Sequence, residues 1–280
     1  MLLSSVCRYE HFLSDWYQCW APRLKLVRPV IDSNGSAVAL VQRKDWEWCA
    51  IAQALEERGM LAPGKSGCGF AVGTEPLASA FAARGVGILA TDQPIQAGST
   101  PWAAGNQHAA SLEALHHPAI VDAETFRRNV RFKPVDMRDL ALPWKERFDF
   151  IWSSCSFEHL GTLEAGMQFV LNAMDLLNLG GIAVHTTEFN LSSNQETVEA
   201  GVSVIYRQQD LERLGGRLRR QSCWLSQLDL HGGDHQHDIE FDYPPYFTHG
   251  RNHVKLLFDG HVITSVMIII RKGWPEEDLT

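Results

Sequence analysis

Large apolar side chains return every three or four positions near the start of the chain, at Tyr9, Phe12, Leu13, Trp16, Tyr17 and Trp20. The same rhythm recurs over residues 46–58 at Trp48, Ile51, Ala52 and Leu55, and stops at Gly59. It predicts two helices. Their aromatic stripe suits packing against a sheet or a lid over a ligand, so residues 1–60 read as an N-terminal helical extension or lid. After residue 60 the rhythm changes. Short, nearly unbroken apolar runs at residues 85–90, 130–135, 148–154 and 182–184 predict buried strands. Residues 160–179 read as a helix closed by Gly180-Gly181. Further on, Arg207-Gln208-Gln209-Asp210 opens a helix, residues 218–228 read as a strand, and residues 254–258 and 262–270 flank an Asp259-Gly260 hairpin turn. Strands alternating with helices predict an α/β fold with a doubly wound, Rossmann-like sheet over residues 61–280.

The chemistry gathers where these strands end. Residues 66–92 read SGCGFAVGTEPLASAFAARGVGILATD. Gly67, Gly69 and Gly73 are expected in a tight turn after a strand, with Thr74 capping a helix, Glu75 in its first turn and Pro76 at an early helical position. Asp92 closes the second strand, where an acid bonds a ribose hydroxyl. A dinucleotide fingerprint G-x-G-x-x-G would need a small residue where Val72 stands, and the third glycine arrives one position later. Asp136-Met137, after the third strand, suits an adenine amino group and ring, or else Asp136 caps a helix. Residues 93–118, with Trp102, Asn106, Gln107 and His108, suit a loop over an adenosine. The fourth strand, entered from a Pro143-Trp144 turn, delivers Ser154, Cys155, Glu158 and His159 to the ligand side. His159 suits a general base, because imidazole titrates near neutrality, or else it orients the helix that follows.

The fifth strand turns polar at His185-Thr186-Thr187-Glu188-Phe189-Asn190, where His185 and Glu188 could take a proton from a hydroxyl or hold a divalent metal. Alternation puts those two side chains on opposite faces unless the strand ends between them. The Asp- and His-rich residues 230–253 add Asp238 and His253 as metal candidates, and Tyr243-Pro244-Pro245-Tyr246 suits the wall of a substrate pocket.

Charge and composition remove other classes. A net charge of −8 on 280 residues, with no basic stripe, argues against nucleic acid as the main partner. Six cysteines without a C-x-x-C pair suit buried thiols in a reducing cytoplasm and give no sign of a disulfide framework or zinc site. No apolar run has bilayer length, and the first residues do not read as a signal peptide, so a cytoplasmic protein is expected.

The G-x-G-x-x-x-G spacing with its downstream acid resembles motif I of class I S-adenosylmethionine (SAM) methyltransferases, and FEH after the fourth strand resembles their motif IV. GCGFAVGTEPL, ATDQ, DMRDL, FDFIWSSCSFEH and LGGIAVHTTEFNL together are similar to bacterial SAM-dependent methyltransferases associated with cell-surface polysaccharide synthesis. The resemblance covers residues 60–272. It implies a seven-stranded sheet with a terminal antiparallel hairpin, SAM as cofactor and S-adenosylhomocysteine (SAH) as product. It also implies a sugar hydroxyl of a glycan or lipopolysaccharide precursor as acceptor. Cofactor contacts would come from Gly67, Gly69, Gly73, Glu75, Asp92, Asp136, Met137 and Ser154, catalysis from His159, His185 and Glu188, and substrate contacts from Glu158, Tyr243 and Tyr246. Methylation of another small molecule on nitrogen or oxygen, an NAD-dependent oxidoreductase and a catalytically silent scaffold of the same fold remain alternatives.

Overall fold

A computed structural model describes residues 1–26, 30–31, 37–38, 40–94, 108–140 and 147–274. Trp102, Asn106, Gln107 and the Pro143-Trp144 turn lie outside the described residues. Five parallel strands form the middle of the sheet: β2 (Ser66–Phe70), β3 (Gly87–Asp92), β4 (Val130–Pro134), β5 (Phe148–Ser154) and β6 (Leu177–Asn190). Their order is β4-β3-β2-β5-β6. The chain therefore steps outward from β2 to β4, then returns to the other side of β2, and the order reverses between β2 and β5. In such sheets the crevice outside the carboxyl ends at that reversal is where ligands bind.

Beyond β6 the sheet becomes antiparallel through β10 (His261–Lys272), which pairs along residues 182–190 of β6. Three short strands attach to β10: β7 (Cys223–Leu225), β9 (Leu256–Phe258) and the N-terminal β1 (Ser4–Val6). The outermost strand, β8 (Leu228–Asp229), pairs parallel to β1. Among the described residues the sheet has ten strands, where seven were expected. Strands β9 and β10 pair across Asp259-Gly260.

Several boundaries move for identifiable reasons. The first helical stretch breaks at Ser14 into α1 (Tyr9–Leu13) and α2 (Asp15–Arg23). The next helix, α3 (Arg43–Glu56), begins three residues before Trp46, which brings Arg43 and Lys44 into its first turn. Helix α4 (Leu77–Ala82) starts after Pro76 and has no side-chain cap, so Thr74 does not cap it and Glu75 precedes it. A short helix, α5 (Ala123–Asn129), leads into β4. Helix α6 (Leu163–Ala173) ends early, and Gly180-Gly181 falls inside β6 instead of closing the helix. There the register jumps from Phe148 opposite Leu177 to Phe150 opposite Ile182. A Cβ on Gly181 would stand 2.9 Å from the Asp149 carbonyl oxygen, so these glycines serve a bulge. Helix α7 (Gln208–Arg220) runs through Leu218, leaving β7 and the first residue of β8 from the strand expected over residues 218–228.

Each face of the sheet carries its own core. On one, Phe12, Trp20, Trp46 and Ile51 from the first 60 residues pack with Phe81, Phe150 and Trp152, so that segment is part of the same interior. On the other, α6 and α7 bury Met167, Phe169, Leu211 and Leu214 against Phe70, Ile151 and Ile268. No helix among the described residues is long and apolar enough to cross a membrane.

Candidate functional site

The turn after β2 differs from the expected three-glycine cradle. Gly67 and Gly69 lie within β2, where a Cβ would collide with the Phe150 and Trp152 rings respectively. Their absent side chains make room for the aromatic rings of β5. Gly73 alone of the three sits in the turn, at φ +54°, and Ala71 takes φ +47° beside it. Asp92, at the end of β3, reaches back to this turn. Its Oδ2 accepts the Gly73 N–H at 3.1 Å and the Ala109 N–H at 2.9 Å, and Oδ1 accepts the Gln93 N–H at 2.7 Å. Burial raises its pKa, against the pull of those backbone donors.

Glu75 faces inward. Its Oε1 accepts the Trp152 Nε1–H at 2.6 Å, and burial pushes its pKa up to about 8. Met137 is buried in the core on the α6 side, while Asp136 is clasped by Arg138 Nη2 at 2.5 Å, which lowers its pKa.

The densest polar chemistry lies at the carboxyl ends of β5 and β6, closed over by α3. Glu47 on α3 is fully buried. Its Oε1 accepts the Ser265 hydroxyl at 2.5 Å and the Cys155 thiol at 3.1 Å. Its Oε2 accepts Ser154 Oγ at 3.0 Å, Thr186 Oγ1 at 3.2 Å and Lys44 Nζ at 3.1 Å. Burial alone would raise the Glu47 pKa; Lys44, Arg43 and the hydroxyl donors reverse this and hold it below the usual carboxylate value. Arg43 donates to Glu188 Oε1 at 2.6 Å and to Ser265 Oγ at 2.8 Å. Cys155 leaves β5 at φ +41°, and burial beside Glu47 keeps its thiol protonated. Glu158 accepts the Thr187 hydroxyl on Oε2 at 3.0 Å; burial raises its pKa, opposed by His159 and reinforced by Glu188. Glu158 Oε1 and Glu188 Oε2 are buried with no hydrogen-bond partner among the described residues.

The other expected residues divide. His159 borders this cluster, with Nδ1 at 2.9 Å from the Val202 carbonyl and Nε2 at 3.8 Å from Glu158 Oε1. A ring nitrogen facing a carbonyl carries the proton, so Nε2 turns its lone pair toward Glu158 in the neutral ring. His185 does not reach the cluster. It projects from the opposite face of β6, packs between Phe157 and Phe169, and meets Ser153 Oγ at 2.8 Å. Burial lowers its pKa to about 3, which removes it as a base. Asp238 and His253 do not share a centre either. Asp238 pairs with Lys255 at 3.3 Å and His253 with Asp242 at 2.8 Å. Tyr246 donates its hydroxyl to the Leu257 carbonyl at 2.7 Å, and Tyr243 stacks on His249. Arg43, Lys44, Glu47, Thr186 and Ser265 were not singled out by sequence reasoning. The i, i+3 and i, i+4 spacing of Lys44 and Arg43 to Glu47 was the available signal.

No protein-family model and no curated protein matches the chain. Solved structures do. The [4+2]-cyclase SpnF superposes with a TM-score of 0.52 at 13% identity, covering 97% of this chain and 99% of that one. Magnesium protoporphyrin IX methyltransferase ChlM from Synechocystis PCC 6803, with bound SAH, gives 0.50 at 9% identity, covering 94% and 97%. The chain shares its fold with these two proteins, one of them a methyltransferase. Within this fold, the Gly73 turn, Asp92 and the Glu47 cluster all lie at carboxyl ends of the central strands. At such low identity the likeness is one of fold, and a cyclase among the neighbours shows that the fold carries more than one chemistry.

Proposed function

We propose that this protein is a SAM-dependent methyltransferase acting on a hydroxyl-bearing small acceptor, with a sugar hydroxyl of a glycan precursor as the preferred class. The observation that carries the reading is Asp92, held by the Gly73 amide at the end of the second central strand, one strand away from the reversal of strand order. SAM supplies an electrophilic methyl group on a sulfonium. Asp92 would meet the ribose, and Asp136 and Met137 the adenine side.

The chain's own contribution is alignment. Holding acceptor and methyl in line can supply roughly 7–11 kcal/mol of the barrier. The unpartnered oxygens of Glu158 and Glu188 fit an acceptor that brings hydrogen-bond donors, as a polyol does. His159 Nε2, beyond Glu158, offers an exit for the hydroxyl proton.

Calorimetric titration with SAM, SAH and NAD tests the reading. Binding of SAM and SAH, absent for NAD and weakened in Asp92→Ala, is the expected outcome. Absence of SAM and SAH binding by the folded protein overturns it.

A further inference from the structure

We propose that Cys155, Glu158 and Glu188 form a binding site for a zinc-like divalent cation at the carboxyl ends of β5 and β6. One ligand atom from each residue lies within 4.8 Å of the others. A tetrahedral zinc centre with one sulfur and two oxygens needs separations of about 3.5 Å, so the side chains have little distance to close. Clustered acids alone would not suffice, because carboxylates gather for many reasons. Here the second oxygens decide. Glu158 Oε2 is taken by Thr187 and Glu188 Oε1 by Arg43, while Glu158 Oε1, with His159 Nε2 at 3.8 Å, and Glu188 Oε2 are buried without a hydrogen bond among the described residues. Glu158 is fully buried and Glu188 is 8% exposed, so solvent does little to satisfy them. Each carboxylate is thus oriented through one oxygen and left open at the other, which is how outer contacts prepare metal ligands.

Charge agrees. A Cys155 thiolate with Glu47, Glu158 and Glu188 makes four negative charges, and Arg43, Lys44 and one dication make four positive ones. A thiolate beside two carboxylates suits zinc or cobalt better than magnesium or calcium. Binding forms three metal–ligand bonds, and the proton of the Cys155 thiol leaves to solvent. Three protein ligands leave a fourth position open; with the ion bound, an acceptor hydroxyl would meet that position in place of the two carboxylate oxygens. This site stands on the cluster alone and does not depend on whether the chain binds SAM.

The test is titration of chelator-treated, full-length protein with Co2+ alone, in a Cys19→Ser background that removes the exposed thiol. One equivalent should give a near-ultraviolet thiolate-to-cobalt band, abolished by one equivalent of Zn2+. Cys155→Ser should remove the band. Glu158→Gln, which keeps an acceptor for Thr187, should keep the band and weaken Co2+ affinity on the order of 100-fold. Circular dichroism and melting verify that each variant folds. A band that survives in folded Cys155→Ser, or no stoichiometric band in the parent, overturns the proposal. Binding at the surface histidines His231, His235 and His237 gives no thiolate band and counts against it equally.

Discussion

Gly67 and Gly69 owe their places to the rings of Phe150 and Trp152, which fill the space where their side chains would stand. A glycine spacing in sequence states that a Cβ is excluded, not what excludes it. The structure has a turn at Gly73, where the sequence placed one, and puts the two glycines before it inside β2. Histidine is similarly ambiguous. His159 and His185 look alike in a string, and the parity of β6 decides that only His159 borders the cluster. Glu75 carries a testable consequence at this scale. Its folded pKa of about 8 stands above the ordinary carboxylate value of 4.5, so the folded state holds the proton more tightly. The stability it contributes is full below about pH 4.5 and is lost as pH rises toward 8. Glu75→Gln keeps the acceptor for Trp152 and should flatten that slope. Denaturant midpoints should match the parent near pH 5 and exceed it near pH 8.

Among the elements, α3 shows why part of the site was hidden. Apolar periodicity located its buried stripe and overlooked Arg43, Lys44 and Glu47, because charges on a helix are ordinarily solvated. Only the contact of this helix with β5, β6 and β10 turns them inward. The central strands were legible because buried parallel strands read as continuous apolar runs. Strand β1 was not, since three residues, Ser4–Val6, leave no periodicity to detect. Glu47→Gln would put an amide donor against Lys44 and the hydroxyls that now donate to it. Breaking a buried charge pair from one side costs about 3–5 kcal/mol, and chemical denaturation of the variant should show a loss of that order.

For the whole molecule, the first residues are fastened to the last strand. Ser4 Oγ accepts the Ile269 N–H and lies 2.7 Å from Ser226 Oγ, and Lys255 Nζ donates to the Cys7 carbonyl. Removing residues 1–8 should lower the melting temperature by about 2–4 °C for each kcal/mol of pairing lost, as read by calorimetry. The same fastening sets an order of events during synthesis. Ser4 and Ile269 are 265 residues apart, which at about 5–20 residues per second separates their emergence by roughly 10–50 s. Strands β2 to β6 can pair while translation continues, but β1 has only the two-residue β8 to pair with until β10 is made. Until then Ser265 is missing from the Glu47 cluster, so the nascent chain carries its most heavily charged interior open to water.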